Sequence, residues 1–304
     1  MNIPFEEALN WDCIIIGGGP AGITAGLYLA RYRRKVMIYD TCNSRAEHIP
    51  LSHNYPGFPE GVSGKDLLKK LRQQLFPYKV PFVNEAVESV EHVNKKKFLI
   101  KTSNSTMQAK NIILATGVKD IEPQLVDIRD GIQKGLIRHC PVCDAFEVIN
   151  QKIAVIAHGK SGLGQALFLR DYTSKITLIT LNQTVVWTKK ELKEIQESQI
   201  TIIPYELKGV KLTSSFATLT FSNQQVMEFD CIYSALGDIK NNKLATDLKL
   251  KLKDGSIVVN KEQQSSISGV YAAGDIVYGL NQICVATSQA AIAATSIHTR
   301  CSNL

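Results

Sequence analysis

Apolar positions along the chain come in short solid runs of strand length, set between glycine turns and alanine- or leucine-rich stretches. Asp12–Ile16 (DCIII) is such a run, as expected of a strand covered on both faces in a parallel sheet. Gly17–Gly22 follows as a turn. Ile23–Tyr32 then predicts a helix, and Lys35–Asp40 (KVMIYD) a second strand. The same order returns about 140 residues later, a duplication rather than a short-period repeat. There Lys152–Ile156 predicts a strand, Ala157–Gly162 a turn, Gly164–Tyr172 a helix and Lys175–Thr180 a strand. Between the two units, Ala86–Glu91 and Lys97–Thr102 predict strands joined by a basic turn at Asn94–Lys96. Asn111–Leu114 runs into Ala115-Thr116-Gly117. Lys208–Thr213, Ala217–Phe221 and Asp230–Tyr233 repeat that theme and close at Ala235-Leu236-Gly237. Gly269–Ala273 predicts a last strand, and an alanine-rich helix is expected from about Gln282 to His298.

Strand and helix alternate throughout, so the expected class is α/β. The pattern places domain boundaries near Val118 and Gly237. A discontinuous first domain, 1–117 plus 238–304, then carries an inserted second one, 118–237. Length agrees, since 304 residues make about two domains at roughly 100–200 residues each. Hydrophobic residues are 44% and charged residues 21%, which excludes a disordered chain. No apolar run approaches the ~18–20 residues of a membrane span, so no membrane partner is expected. The net charge of +7 is scattered. Its densest runs, Arg31–Lys35 and Lys95–Lys97, abut strands and read as solvated surface rather than a nucleic-acid patch. The N-terminal MNIPFEEALN lacks a basic n-region and a long apolar h-region, so a cytoplasmic location is expected. Seven cysteines, an odd and scattered set, do not form a secreted disulfide framework. Cys13 and Cys231 lie in strand-like runs and read as small buried hydrophobes.

Gly17-x-Gly19-x-x-Gly22 sits between a strand and a helix. One glycine allows the tight turn, one lets backbone approach a pyrophosphate, and one lets helix pack on strand. The helix start supplies free N–H groups for phosphate. Asp40 ends the second strand, where a carboxylate accepts hydrogen bonds from ribose hydroxyls. Gly274-Asp275 puts another carboxylate at a strand end. With Ala115-Thr116-Gly117 and the helix starting near Gln282, it suits the closing end of a flavin site. Cys140-Pro141-Val142-Cys143 is the one close cysteine pair. Such a pair cycles between dithiol and disulfide, and a nearby cation or helix start makes one sulfur the attacking thiolate. With no second CxxC or Hx₃₋₅H, a zinc site is not expected, nor any other metal. Asp144 reads either as a proton shuttle beside the dithiol or as a helix N-cap. His139 is a further candidate to stabilise a thiolate.

GGGPAG at 17–22, ATG at 115–117, CPVCD at 140–144 and AAGD at 272–275 together resemble the low-molecular-weight thioredoxin reductases, of the pyridine nucleotide–disulfide oxidoreductase class. The resemblance spans nearly the whole chain. It implies two Rossmann-like domains, the second inserted into the first. The first would be an FAD-binding domain, the second an NAD(P)-binding-like domain carrying the CxxC pair. A homodimer with one FAD per chain is implied. FAD would be bound by Gly17, Gly19, Pro20, Ala21, Gly22, Asp40, Ala115, Thr116, Gly117, Gly274 and Asp275. Asn54, in SHNYPGFP, would contact the isoalloxazine, and Gln282 matches the family's glutamine at the start of the last helix. Cys143 would be the flavin-side sulfur, Cys140 the sulfur that attacks a partner disulfide, and Asp144 the proton donor.

The second glycine turn departs from the family. NADPH users have GxGxxA and a histidine–arginine–arginine run after the next strand; here these are AHGKSG and Thr180-Leu181-Asn182. The family's arginine before the last-helix glutamine is Asn281. The chain is therefore expected to be an FAD-dependent dithiol/disulfide oxidoreductase that does not use NADPH efficiently. It would exchange electrons with a thioredoxin-like protein or a small dithiol or disulfide, with another donor or acceptor in place of NADPH. The alternatives are an NADPH-dependent thioredoxin reductase, an oxidase passing electrons from a dithiol to O₂, or a flavin-bearing redox sensor that does not turn over.

Overall fold

A computed structural model describes residues 11–94, 97–123 and 128–302. The N-terminal MNIPFEEALN and Lys95–Lys96 of the basic turn lie outside the described residues. The described chain divides into two units. One takes the residues up to Glu47, Gly64–Lys119 and those from Lys240 on; the other takes His48–Ser63 and Asp120–Ile239.

The first unit is built on a parallel five-stranded sheet, in the order Val270–Ala272, Ile112–Leu114, Cys13–Ile16, Val36–Asp40, Phe82–Asn84. Every residue of the first four strands is buried. The solid apolar runs arise because a parallel sheet is covered on both faces, each buried Ile or Val contributing about 1.5–3 kcal/mol. The second unit repeats the plan: Thr201–Ile203, Ile176–Ile179, Ile153–Ile156, Cys231–Ser234, Ile137–Arg138, again all parallel. Each unit adds a three-stranded antiparallel sheet before a late strand of its parallel sheet: Ser89–Asn94, Lys97–Lys101 and Thr106–Ala109 before Ile112–Leu114 in the first, Leu207–Leu212, Ala217–Phe221 and Val226–Phe229 before Cys231–Ser234 in the second. The duplicated grammar is thus a duplicated α/β architecture.

Helix ends differ from the pattern. The first helix runs Pro20–Arg31, starting before Ile23, because Pro20 at the opening turn has a preset φ and no N–H to satisfy. After the second glycine turn a short 3₁₀ segment, Gly159–Gly162, precedes a helix of only Leu163–Leu169. The last helix is Ile283–Ser302. Helix Gly64–Leu75 is new, although Leu67, Leu68 and Leu75 fall at helical spacing and are buried. Cys13 and Cys231 are buried in strands. Among the described residues no helix is long and apolar enough to cross a membrane.

His48–Ser63 falls within the span expected of the first domain, yet groups with the second unit. His53 Nδ1 lies 2.8 Å from Glu147 Oε1, and the Asn54 amide donates to the Val142 carbonyl at 3.4 Å.

Candidate active site

In the first unit, the glycine turn is shaped by close backbone approach. Gly17 has φ +112°, and a Cβ on it would stand 2.2 Å from the Ala115 carbonyl oxygen. A Cβ on Gly22 would stand 1.8 Å from the Gly17 carbonyl oxygen. The turn therefore closes on its own backbone and on the Ala115–Gly117 loop, at the carboxyl ends of neighbouring strands where open α/β sheets take their ligands. Gly274 joins the same cluster: a Cβ there would lie 3.1 Å from the Ala21 methyl, and its N–H donates to Gln289 Oε1 at 2.9 Å. Thr116 turns its hydroxyl to the Asn241 carbonyl at 2.8 Å. Asp275 pairs with Arg45 at 2.8 Å. Gln282 stands just ahead of the last helix and its carbonyl accepts from the Ala286 N–H. Pro20 and Ala21 open the first helix.

Asp40 is buried at the end of its strand. Its Oδ1 accepts the Gly18 N–H at 2.9 Å, while Oδ2 accepts no hydrogen bond, with Arg72 Nη2 3.7 Å away. A buried acceptor left over beside a glycine turn and a helix start suits a dinucleotide with a ribose hydroxyl to donate. The residues present therefore fit FAD. Gly18, Arg45 and Gln289 were not anticipated. Gly18 was the legible one, since a Cβ there would meet the Asp40 carboxyl carbon at 2.6 Å.

In the second unit, Cys140 and Cys143 form a disulfide with Cα atoms 5.3 Å apart. Pro141–Asp144 is a single helical turn in which the Cys143 N–H donates to the Cys140 carbonyl at 2.9 Å. Asn54 lies in this unit, with its amide on the Val142 carbonyl between the two cysteines. Asp144 does not cap a helix: at the start of the following 3₁₀ turn it makes no side-chain cap bond. Its carboxyl has stronger partners, the Tyr233 hydroxyl donating to Oδ1 at 2.7 Å and Arg138 Nη1 standing 2.9 Å from Oδ2. Burial pushes the Asp144 carboxyl up from the ordinary range, against the downward pull of Arg138 and Tyr233. Neither partner was anticipated, because only the pairing of two strands brings them there.

The second glycine turn is lined differently. A Cβ on Gly162 would meet the Ala157 methyl at 2.5 Å, and one on Gly159 would meet Gln183 Oε1 at 2.8 Å. Gln183 Nε2 lies 3.3 Å from His158 Nδ1, and Lys160 pairs with Glu191 at 3.2 Å. Glu191 also closes a capping box with Thr188. Leu181 packs against the hydrophobic cluster around Ile179 and Ile203. Among the described residues, no three His, Cys, Asp or Glu side chains gather as metal ligands would.

The family described as "Pyridine nucleotide-disulphide oxidoreductase" matches residues 11–290. The thioredoxin reductase of Helicobacter pylori is 28% identical, covering 94% of this chain and 97% of that protein. The ferredoxin–NADP reductase 2 of Listeria monocytogenes is 29% identical over 89% of this chain and 86% of its own length. Among solved structures, the thioredoxin reductase of Streptococcus pyogenes superposes with a TM-score of 0.89 at 24% identity, covering 97% of this chain and 99% of that one.

Proposed function

Because the chain belongs to the pyridine nucleotide-disulphide oxidoreductases, we propose that it is an FAD-dependent dithiol/disulfide oxidoreductase working through Cys140 and Cys143. The observation that carries this is the Cys140–Cys143 disulfide, followed directly by a partly buried, paired carboxyl. Gly17, Gly19, Pro20, Ala21, Gly22, Asp40, Ala115, Thr116, Gly117, Gly274, Asp275 and Gln282 would hold FAD. FAD, when bound, supplies a two-electron exchange with the cysteine pair.

The exchange with a partner is carried by this chain's own groups. The Cys140 thiolate attacks a partner disulfide, forming a mixed disulfide and releasing one partner thiolate. The Cys143 thiolate then attacks the Cys140 sulfur, closing the disulfide and releasing the second. Two electrons pass to the partner, and the two thiol protons end on its sulfurs, with Asp144 passing a proton on. Run in reverse, the same steps oxidise a dithiol. The partner is a thioredoxin-like protein or a small dithiol or disulfide, and the working form is a homodimer in the cytoplasm.

We also propose that NADPH is not an efficient donor. Ala157 and the Gln183–His158 contact line the second turn with side chains where a pyrophosphate needs open backbone, and Glu191 already neutralises Lys160. Leu181 stands where an NADPH user carries an arginine. A donor such as ferredoxin is a second source of electrons, favoured by the likeness to a ferredoxin–NADP reductase.

The test is anaerobic loss of the oxidised-flavin absorbance on mixing with NADPH, NADH or a dithiol, each alone. The dithiol is expected to bleach the protein quickly and the nicotinamides slowly. Cys143→Ser should stay yellow and no longer bleach with dithiol. Fast bleaching by NADPH would overturn the donor reading, and a variant that still bleaches would remove Cys143 from its role.

A further inference from the structure

Strands Ile137–Arg138 and Cys231–Ser234 are parallel neighbours in which Arg138 and Tyr233 are register partners. Register partners project to the same face of a sheet, so the two side chains arrive together from different parts of the sequence. Between them they take both oxygens of Asp144, Tyr233 on Oδ1 and Arg138 on Oδ2. Arg138 is itself held in place. Its Nε donates to the Gly135 carbonyl at 3.1 Å, and a Cβ on Gly135, which has φ +71°, would lie 3.2 Å from the guanidinium. The carboxyl is thereby fixed in direction as well as in charge.

We propose that Arg138 and Tyr233 are positioning residues for the thiol–disulfide exchange: they aim the Asp144 carboxyl and set the pH at which it gives up its proton. This rests on the reading of Asp144 as the acid–base group given under Proposed function. Other charged and titratable groups face Asp144 too. Glu147, on the next turn, adds negative charge and is paired to His53. Cys231 lies two residues before Tyr233, its thiol pushed up to about 12, chiefly by burial. His139, Cys140 and Cys143 flank Asp144 along its own segment. Burial favours the protonated carboxyl, and Arg138 is the largest opposing influence, followed by the Tyr233 hydroxyl. Removing Arg138 therefore lets Asp144 keep its proton to higher pH; removing the Tyr233 hydroxyl acts in the same direction, by less.

The reaction that reads this out is single-turnover oxidation of the Cys140/Cys143 dithiol by a small disulfide. The Cys140 thiolate forms a bond to one sulfur of RSSR, and RS⁻ leaves. Cys143 then displaces the second RS⁻ and closes the disulfide. Two electrons pass to RSSR, and the two thiol protons end on two RSH. An alkyl thiolate leaves poorly without a proton, whereas a nitro-aromatic thiolate needs none. The pH dependence of the alkyl-to-aromatic rate ratio therefore isolates Asp144.

The holoenzyme, reduced by dithiothreitol and freed of it anaerobically, is mixed with hydroxyethyl disulfide or dithiobis(nitrobenzoate) across pH. In the parent protein the ratio is expected to fall as pH rises through the Asp144 titration. Arg138→Met should move that fall up by about one pH unit or more. Tyr233→Phe, which keeps the ring, should move it up by less and stands in if Arg138→Met fails to fold. The aromatic profile should not move. If Asp144→Asn flattens the ratio but neither variant shifts it, the positioning role is overturned and Asp144 keeps its own. If Asp144→Asn leaves the ratio as it was, the acid–base reading fails, and this inference with it.

Discussion

The two glycine turns open parallel sheets that share the arrangement of four strands, yet they differ in what fills the space under the third glycine. At Gly22 that space belongs to the Gly17 carbonyl oxygen, 1.8 Å from where a Cβ would be; at Gly162 it belongs to the Ala157 methyl, at 2.5 Å. The first turn is closed by backbone and leaves a buried carboxylate oxygen of Asp40 without a hydrogen bond. The second is closed by side chains that satisfy one another through Gln183, His158, Lys160 and Glu191. Glycine spacing marks the fold in both. Whether the turn also serves a phosphate depends on the residue at the first glycine and on what the next strand's end brings to it.

The comparison breaks most severely at Gly22. Gly22→Val forces a branched side chain onto the Gly17 carbonyl and is expected to yield protein without flavin, less stable by about 3 kcal/mol. Flavin absorbance per chain and a thermal melt read this directly; a yellow, stable variant would show that the turn has slack the structure lacks. At the second turn the expected effect is smaller and reversible. Gly162→Ala alone should cost about 1–3 kcal/mol, because its methyl meets that of Ala157. Adding Ala157→Gly should recover most of this loss, a coupling that a double-mutant cycle measures. Simply additive costs would mean the two positions do not share that space. The mildest change is Asp40→Asn, which replaces a free acceptor with a donor and should weaken flavin retention about 10-fold, or ~1.4 kcal/mol. Dilution-induced flavin release measures it, and unchanged retention would mean Asp40 Oδ2 meets no cofactor hydroxyl. No acidic residue stands at the equivalent strand end, Thr180-Leu181-Asn182, so the second unit has no counterpart to this change.

Much of this was legible in the chain because parallel sheets buried on both faces leave unbroken apolar runs, as in Asp12–Ile16 and Lys152–Ile156, and because glycine turns punctuate them. Asp40 was legible because it ends a strand at a fixed distance from such a turn. Arg138 and Tyr233 were not. Tyr233 reads as an ordinary strand residue and Arg138 falls in no predicted element, and only the pairing of strands distant in sequence brings them onto Asp144. Asp144 as a helix cap was a fair local expectation that lost to those longer-range partners. His48–Ser63 groups with the second unit for a similar reason. Its neighbours in sequence belong to the first unit, whereas its bonds through His53 and Asn54 go to Glu147 and Val142.

The division of the chain has a consequence for the order in which the protein assembles. The chain passes between the units at Glu47/His48, Ser63/Gly64, Lys119/Asp120 and Ile239/Lys240. The strands of the second sheet lie within Ile137–Ser234, so that sheet is complete on the growing polypeptide before Val270–Ala272 can take its place beside Ile112–Leu114. At about 5–20 residues per second, Ile112–Leu114 waits on the order of ten seconds for the edge strand that closes its unit. During that interval the apolar edge of Ile112–Leu114 is open to mispairing, the exposure that an unpaired strand edge always brings. The inserted unit is thus the part of this protein that matures first, and the unit that begins the chain is the last to be finished.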